Sequence, residues 1–252
     1  MISLPQIWSA ESLCLQGSSG QLARLASDVY QKVCRTDFSM PGFCLVKVTG
    51  CIDSVAFRQT MVDLKTALAE IHALKTGETL IYLSAARFDQ QTSTKPHLDG
   101  GPEECFLMLG YEPSTVDSEV EIKDYTRCAH DFGMTPKEFM AKHNPMFRSG
   151  QELLRPYATR IPCFASDDYQ IICINNSSAP FDTGTGRWQG TLHTAKILSP
   201  NESARRVINS TMIARSPSGA TDAISAQDIT TFVTSSVVHR KGYDKAHLED
   251  DR

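Results

Sequence analysis

The sequence predicts a mainly β fold, either a β-sandwich or a jelly roll, with helices packed on its outside. Helical periodicity is concentrated near the N-terminus, before about residue 75. Several short strand-like runs follow, and turn clusters such as SSAPFDTGTG and SPNESA separate them. The regular strand–helix alternation of a doubly wound parallel sheet is missing, because one helical insertion interrupts an otherwise continuous series of strands.

The N-terminal region, 1–75, is predicted to contain two helices and one strand. Apolar residues recur at spacings of three and four over 10–36, which is typical of an amphipathic helix, and Ser9 can cap its start. The run GFCLVKV predicts a strand over Phe43–Val48. A second helix with one apolar side is expected over Ser54–Ala73.

The β core is predicted over about 77–215. Its strands are expected in the runs ETLIYLSAARFD, ECFLMLGY, YQIICINN, GTLHTAKIL and RRVINSTMIA. The insertion, at about 122–165, predicts one or two short helices, with Thr135 as an N-cap, and then extended chain around the prolines of LLRPYATRIPCF. A polar tail, 216–252, ends in KGYDKAHLEDDR, which we expect to be disordered. We predict one domain over 1–252.

Composition and charge narrow the function classes. The chain has 252 residues, 41% hydrophobic and 21% charged, which is ordinary for a globular protein. A net charge of −4 gives no basic face for nucleic acid. The N-terminus lacks the pattern of a signal peptide, and no apolar run approaches the ~20 residues of a membrane span. These features predict a cytoplasmic protein that acts on small molecules, without a membrane partner; they leave the oligomeric state open.

The cysteines favour free thiols over disulfides or a zinc site. None of the eight forms C-x-x-C, and several lie in apolar strand-like runs. In a chain without an export signal, buried thiols are the expected state. The eight are Cys14, Cys34, Cys44, Cys51, Cys105, Cys128, Cys163 and Cys173.

The stretch TSTKPHLDGG carries a possible metal-binding pair, His97 and Asp99. Residues two apart in a strand point to the same side, so both side chains can reach one ion. Taken alone, the pair is better explained as a polar turn that ends in DGG. A third ligand would have to come from a distant strand, and of the seven histidines only His193 is central in a predicted strand of the β region. Two histidines and one carboxylate on one face form the facial triad of non-heme Fe(II) oxygenases.

The array of His97, Asp99 and His193, followed 12 and 13 residues later by Arg205 and Arg206, resembles the Fe(II)/2-oxoglutarate-dependent dioxygenase superfamily. The likeness extends over most of the predicted β core. It implies a double-stranded β-helix, a jelly roll of the cupin type. It also implies that the two histidines and the aspartate bind iron.

The same resemblance implies that one of the two arginines binds the distal carboxylate of 2-oxoglutarate. We favour Arg206, with Ser210 on the same face of its strand. The family often places a serine or threonine two residues after the arginine. Here both of the corresponding positions, Val207 and Ile208, are aliphatic, which leaves the contacts to the co-substrate open.

The implied reaction consumes O₂ and 2-oxoglutarate, releases succinate and CO₂, and oxidises a small molecule, most simply as a hydroxylase. Halogenases of the superfamily lack the carboxylate ligand, so Asp99 argues against halogenation. Two alternatives remain. One is a cupin-type metalloenzyme that does not use 2-oxoglutarate, and the other is a non-catalytic jelly-roll binding module. The metalloenzyme would usually show more histidines close together and would not need the arginine, whereas in the binding module the polar residues would form only a pocket.

Candidates for substrate binding follow from position along the chain alone. Arg87 and Gln91 precede the metal motif, and a surface charge explains Arg87 equally well. Arg155 and Arg160 belong to the insertion, which in this superfamily often covers the mouth of the active site. Trp188 lies beside a turn and is either a core residue or part of the pocket.

Overall fold

The computed structural model describes residues 8–17, 21–161 and 167–240. Its α-helices are α1 (Ala10–Leu13), α2 (Leu22–Val33), α3 (Ser54–Thr76), α4 (Tyr125–Asp131), α5 (Pro136–Lys142), α6 (Arg148–Leu154) and α7 (Ala226–Thr234), with a short 3-10 helix at Arg155–Tyr157. Its strands are β1 (Cys14–Gly17), β2 (Phe43–Val48), β3 (Thr79–Asp89), β4 (Cys105–Tyr111), β5 (Asp117–Lys123), β6 (Ala158–Ile161), β7 (Tyr169–Asn175), β8 (Leu192–Ser199), β9 (Val207–Ser216) and β10 (His239–Arg240).

The strands form two sheets. The larger has seven strands in the order β1-β2-β7-β4-β9-β3-β10, and the smaller has three in the order β6-β5-β8. Pairing is antiparallel except at the two edges of the larger sheet, where β1 runs parallel to β2 and β10 parallel to β3. The prediction of a mainly β protein with flanking helices is confirmed.

The seven-stranded sheet is buried on both faces because its strands alternate apolar residues on either side. One face packs against α2, α3 and α7 through residues such as Val46, Met108 and Ile213. The other face packs against the three-stranded sheet, with Leu107 and Ile174 among the buried residues of this second core. We call the second region the intersheet space.

Helix α3 lies directly on the seven-stranded sheet. Asp53 caps its start by accepting a hydrogen bond from the backbone N–H of Ala56, and Gly77 ends it with a left-handed φ of 75°. A Cβ at Gly110 on β4 would lie 2.5 Å from the sulfur of Met61. Glycine there allows the helix to approach the sheet closely.

Two elements contradict the predicted N-terminal helix and polar tail. The predicted helix over 10–36 is interrupted by β1, since pairing with the edge of β2 overrides the local helical pattern. In the tail, α7 begins with a capping box at Ser225 and buries Phe232 and Val233 against the helix-side core. The part 241–252, for which we predict disorder, lies outside the described residues.

Strand β5 is not among the strands that the sequence predicts. Its residues Ser118, Val120 and Ile122 face the intersheet space, while charged residues alternate with them on the outer side. The helical insertion therefore begins after β5 and contains three short helices, with the predicted capping box at Thr135 present.

The cysteines among the described residues are all free thiols, and most are buried. Cys163 lies outside the described residues. Within the described ranges, no helix combines the length and the apolar character that crossing a membrane would require.

Candidate metal centre

His97 and His193 meet across a strand-like pairing. His97 belongs to the segment between β3 and β4, and it forms an isolated antiparallel bridge with His193 on β8. Each backbone N–H donates to the other residue's carbonyl at 3.2 Å. The two imidazole ring centres are 4.3 Å apart. Because His193 is paired with Ile122 of β5, its side chain faces the intersheet space.

Asp99 completes the cluster predicted from the sequence. One ligand atom each from His97, Asp99 and His193 lie within 4.8 Å of one another, and among the described residues no other group of three potential ligands is this close. Nε2 of His97 is 3.5 Å from Oδ1 of Asp99. Nδ1 of His97 is 2.7 Å from the carbonyl of Lys95. A proton on Nδ1 donates to that carbonyl and leaves the Nε2 lone pair directed at the cluster.

The two histidines have opposite electrostatic environments. The pKa of His193 is lowered to about 4, chiefly by burial and also by the neighbouring His97, while Asp99 acts in the opposite direction. The hydrogen bond with Asp99 is the main cause that raises the pKa of His97. His193 is therefore neutral at physiological pH, the form in which imidazole binds a metal.

Arg206 is the arginine that faces inward. It is 2% exposed, whereas Arg205 is exposed to solvent. Its Nε donates to Oγ of Ser118 at 2.9 Å, its Nη1 donates to the carbonyl of Gln90 at 3.2 Å, and its guanidinium lies 4.9 Å from the ring centre of Tyr111. Its Nη2 is buried and has no hydrogen-bond partner among the described residues. Guanidinium groups are rarely buried without a carboxylate or phosphate partner.

Ser210 is on the same face of β9 as Ile208 and Met212, both part of the intersheet core. It is partly buried and directly opposite Ala86 of β3. The parity that turns Arg206 inward therefore also turns Ser210 inward.

Two predicted substrate contacts lie on the wrong face of the seven-stranded sheet. Arg87 binds both carboxylate oxygens of Glu112 at 2.9 and 3.1 Å on the helix side. Trp188 is in the helix-side core, with its ring edge-on to His72 at 5.5 Å. The structure assigns both residues to the fold: strand alternation in β3 turns Arg87 away from the intersheet space, and Trp188 is buried in the helix-side core.

The other three predicted contacts also lie apart from the cluster. Gln91 uses both ends of its amide to hold the loop before β9, through Ala204 and Asn201 at 2.8 and 2.9 Å. Arg160 is on the outer face of the three-stranded sheet and pairs with Glu119 at 3.2 Å. Arg155 is exposed in the 3-10 helix.

The helical insertion packs against residues that adjoin the candidate ligands in the chain. The buried core of α4–α6 includes Leu192, which precedes His193, and packs against Leu98, which lies between the other two candidate ligands. Next to Asp99, a Cβ on Gly101 would lie 2.9 Å from the sulfur of Met212, so the ligand loop packs tightly on β9.

Three residues that contact Arg206 or Asp99 were not identified from the sequence. Ser118 and Tyr111 contact the guanidinium of Arg206, and Asn176 binds the backbone of Asp99. Recognising β5 as a strand would have identified Ser118, because the alternation of Val120 and Ile122 gives its inward parity.

Comparisons with known proteins add little to this geometry. No protein-family model matches the sequence, and no curated protein does. Among solved structures, one from Sacbrood virus of honeybee is similar over 56% of this chain and 70% of its own length, with 6% identity and a TM-score of 0.23. A likeness this low carries no argument about fold or function.

Proposed function

We propose that this protein is a non-heme Fe(II)/2-oxoglutarate-dependent oxygenase that oxidises a small molecule, most simply by hydroxylation. The observation that carries the proposal is the convergence of His97, Asp99 and His193 within 4.8 Å beside an intersheet space into which the buried Arg206 also faces. Two histidines and one carboxylate are the ligand set of this class of iron site.

The path of the chain supports a double-stranded β-helix. From β4, in the large sheet, the chain passes to β5 and β6 in the small sheet and then alternates through β7, β8 and β9. The segment that carries His97 extends the small sheet beside β8, so β3, this segment and β4–β9 make eight units on two facing layers. Eight strands divided between two packed sheets are the jelly-roll arrangement.

The donor set fits Fe(II). Two neutral imidazoles and a carboxylate are donors that suit a divalent iron, and His97, His193 and Asp99 would supply them. The carbonyl of Lys95 sets the orientation of the His97 ring in the manner common for ligating histidines. The burial of His193 keeps its imidazole unprotonated and ready to bind.

The surroundings of Arg206 fit the distal carboxylate of 2-oxoglutarate. Nη2 of the guanidinium is buried and has no partner by hydrogen-bond geometry among the described residues, and the groups that accept from Nε and Nη1, on Ser118 and Gln90, are neutral. A bound carboxylate would supply the missing acceptor and neutralise the buried charge. The aromatic ring of Tyr111 stacks on the guanidinium and restricts its orientation.

Iron with 2-oxoglutarate supplies the oxidising chemistry, in which 2-oxoglutarate becomes succinate and CO₂. The protein's residues then have three tasks. His97, Asp99 and His193 would hold the metal, Arg206 would orient the co-substrate by its distal carboxylate, and the apolar intersheet residues would exclude water from the reacting groups.

An anaerobic titration tests the proposal. Fe(II) and 2-oxoglutarate are added in turn, and visible absorption is recorded for the wild-type protein and for His193→Ala. We expect a charge-transfer band that needs both additions and is lost in the variant. Arg205→Met serves as a matched control that keeps the band, because Arg205 is exposed.

The outcomes separate the alternatives. A protein that binds Fe(II) but gives no band and forms no succinate when O₂ is admitted would be a metalloenzyme that does not use 2-oxoglutarate. A protein that binds no metal would leave a non-catalytic binding module. Either result would overturn the proposal.

A further inference from the structure

Asn176 holds the backbone of Asp99 with both ends of its side-chain amide. The N–H of Asp99 donates to Oδ1 of Asn176 at 3.0 Å, and Nδ2 of Asn176 donates to the carbonyl of Asp99 at 2.8 Å. One side chain thereby occupies both main-chain hydrogen-bonding groups of the carboxylate ligand. Both bonds are within the ordinary range for N–H···O geometry.

Asn176 is itself rigidly placed. It is 2% exposed and follows the last residue of β7 directly. Its backbone N–H donates to the carbonyl of Cys105 at 2.9 Å, and its Nδ2 also lies 3.4 Å from the sulfur of that residue. Cys105 begins β4, so the amide of Asn176 is anchored to two central strands of the seven-stranded sheet.

The ligands of the candidate site therefore have different anchors. His97 and His193 are held to each other by reciprocal backbone bonds at the edge of the three-stranded sheet. Asp99 is tied instead to the seven-stranded sheet through Asn176. Its own side chain is partly exposed, so the position of its carboxylate depends on how firmly its backbone is held.

We propose that Asn176 is a positioning residue that sets the place of the Asp99 carboxylate relative to the two histidines and so determines the affinity of the site for a divalent metal. The inference rests on the metal site of the proposed function, but not on 2-oxoglutarate. Residues that orient ligands through hydrogen bonds typically change metal affinity about 10- to 100-fold when they are replaced.

The neighbouring residue offers a matched control. Asn175 is fully buried, and its amide donates to the carbonyl of Val33 at 2.8 Å and accepts from the N–H of Ser177 at 3.1 Å. It has the same residue type, strand end and burial, but it contacts the end of α2 instead of the ligand loop. Asn175→Ala should lower stability without a specific effect on the metal.

The test measures Co(II) affinity by calorimetry and Co(II) visible absorption for the wild-type protein, Asn176→Ala, Asn176→Asp and Asn175→Ala. We expect Asn176→Ala to weaken Co(II) binding about 10- to 100-fold and to change the spectrum, because the ligand geometry changes. Asn176→Asp keeps the acceptor for the Asp99 N–H but loses the donor to its carbonyl, so it should weaken binding as well. Asn175→Ala should bind within about threefold of wild type despite a lower melting temperature.

Hydrogen exchange gives a second readout on the metal-free protein. The amide of Asp99 should exchange faster in Asn176→Ala than in wild type, with no such change in Asn175→Ala. Co(II) affinity of Asn176→Ala within about threefold of wild type, or an equal loss in Asn175→Ala, would overturn the inference. A wild-type protein that binds Co(II) but not 2-oxoglutarate would overturn the proposed function and leave this inference standing, whereas one that binds no metal would overturn both.

Discussion

The two faces of the seven-stranded sheet each bury an arginine, and the two arginines differ in how completely they are satisfied. On the helix face, Arg58 is 1% exposed, and all of its guanidinium nitrogens donate, to the carbonyls of Val233 and Ser235, to Ser54 and to Glu112. On the intersheet face, Arg206 is 2% exposed and keeps one nitrogen without a partner among the described residues.

The difference separates a charge that holds the fold together from one that is available to a ligand. Arg58 joins α3 to the end of α7, and every bond it makes is internal. The backbone N–H of Arg206 donates to the carboxylate of Asp89, but its guanidinium donates only to neutral groups among the described residues. Burying an uncompensated charge is costly, so this arrangement is expected where a bound anion restores the balance.

The largest effect should be the loss of stability when the helix-side arginine, Arg58, is replaced, compared with the same replacement of Arg206. Arg58→Met leaves two carbonyls and Glu112 with fewer partners, and we expect it to lower the free energy of unfolding by about 3 kcal/mol. Arg206→Met removes a cation that is only partly satisfied, so it should cost much less stability. Urea unfolding of both variants measures the comparison. Equal losses would mean that Arg206 is as structural as Arg58.

A second effect should appear in co-substrate binding. Arg206→Met is expected to weaken binding of 2-oxoglutarate to the Fe(II)-loaded protein by about 2 kcal/mol, since it removes one partner of a buried charge pair. Calorimetry under anaerobic conditions measures it, with Arg205→Met as the exposed control. An unchanged affinity for 2-oxoglutarate in Arg206→Met would mean that Arg206 does not bind the co-substrate, and that it differs from Arg58 only in how many hydrogen bonds it makes.

The helix face should also show a pH dependence of stability through His72. His72 is fully buried, and Nδ1 is 2.8 Å from the hydroxyl of Tyr30. Burial lowers its pKa, with a further lowering from Arg215 and an opposing effect of Glu78. The unfolded chain takes up a proton as the pH falls below about 6.5, whereas the folded chain does so only at lower pH.

The contribution of the neutral His72 to the free energy of unfolding should therefore be fully present above about pH 6.5. It should be lost as the pH falls towards the lowered pKa of His72 in the folded state. His72→Gln keeps a polar partner for Tyr30 and should flatten the decline. Urea midpoints at several pH values measure this slope. An unchanged slope in the variant would assign the decline to other groups, such as His193.

The smallest effect is expected at Arg160, on the outer side of the three-stranded sheet. Its side chain is 60% exposed and pairs with Glu119. Arg160→Ala should change stability by less than about 0.5 kcal/mol and leave metal and 2-oxoglutarate binding unaltered. A marked loss of binding would return Arg160 to the list of substrate contacts.

The predictable part of the fold was the part with regular apolar periodicity. Strands β3, β4 and β7–β9 were anticipated within about two residues, because buried strands have distinctive runs of apolar residues. Strands β1 and β5 were not, because β1 depends on pairing with β2 and β5 alternates charges with its apolar residues. Helix α7 depends on packing with α3, a contact between distant parts of the chain.

The same distinction applies to the site. The sequence nominated His97, Asp99 and His193 together, and the fold does bring them together. The preference for Arg206 over Arg205 rests on which residues of the strand share a face. Arg87 is predicted as a substrate contact from its position along the chain alone, and that position does not show that its side chain lies on the helix side of the sheet. Asn176 required knowing which strand end lies beside the ligand loop, and only three-dimensional proximity gives that.

The divided anchoring of the three ligands has a thermodynamic consequence. Asp99 is tied to one sheet and His193 belongs to the other, and the chain between them includes β4 to β7 and the whole insertion. An ion bound to both would act as a cross-link that closes this long loop and draws the two layers together. At 100 times its dissociation constant, such an ion would add about 2.7 kcal/mol to the free energy of unfolding. Removal of such an ion would then loosen the contact between the sheets.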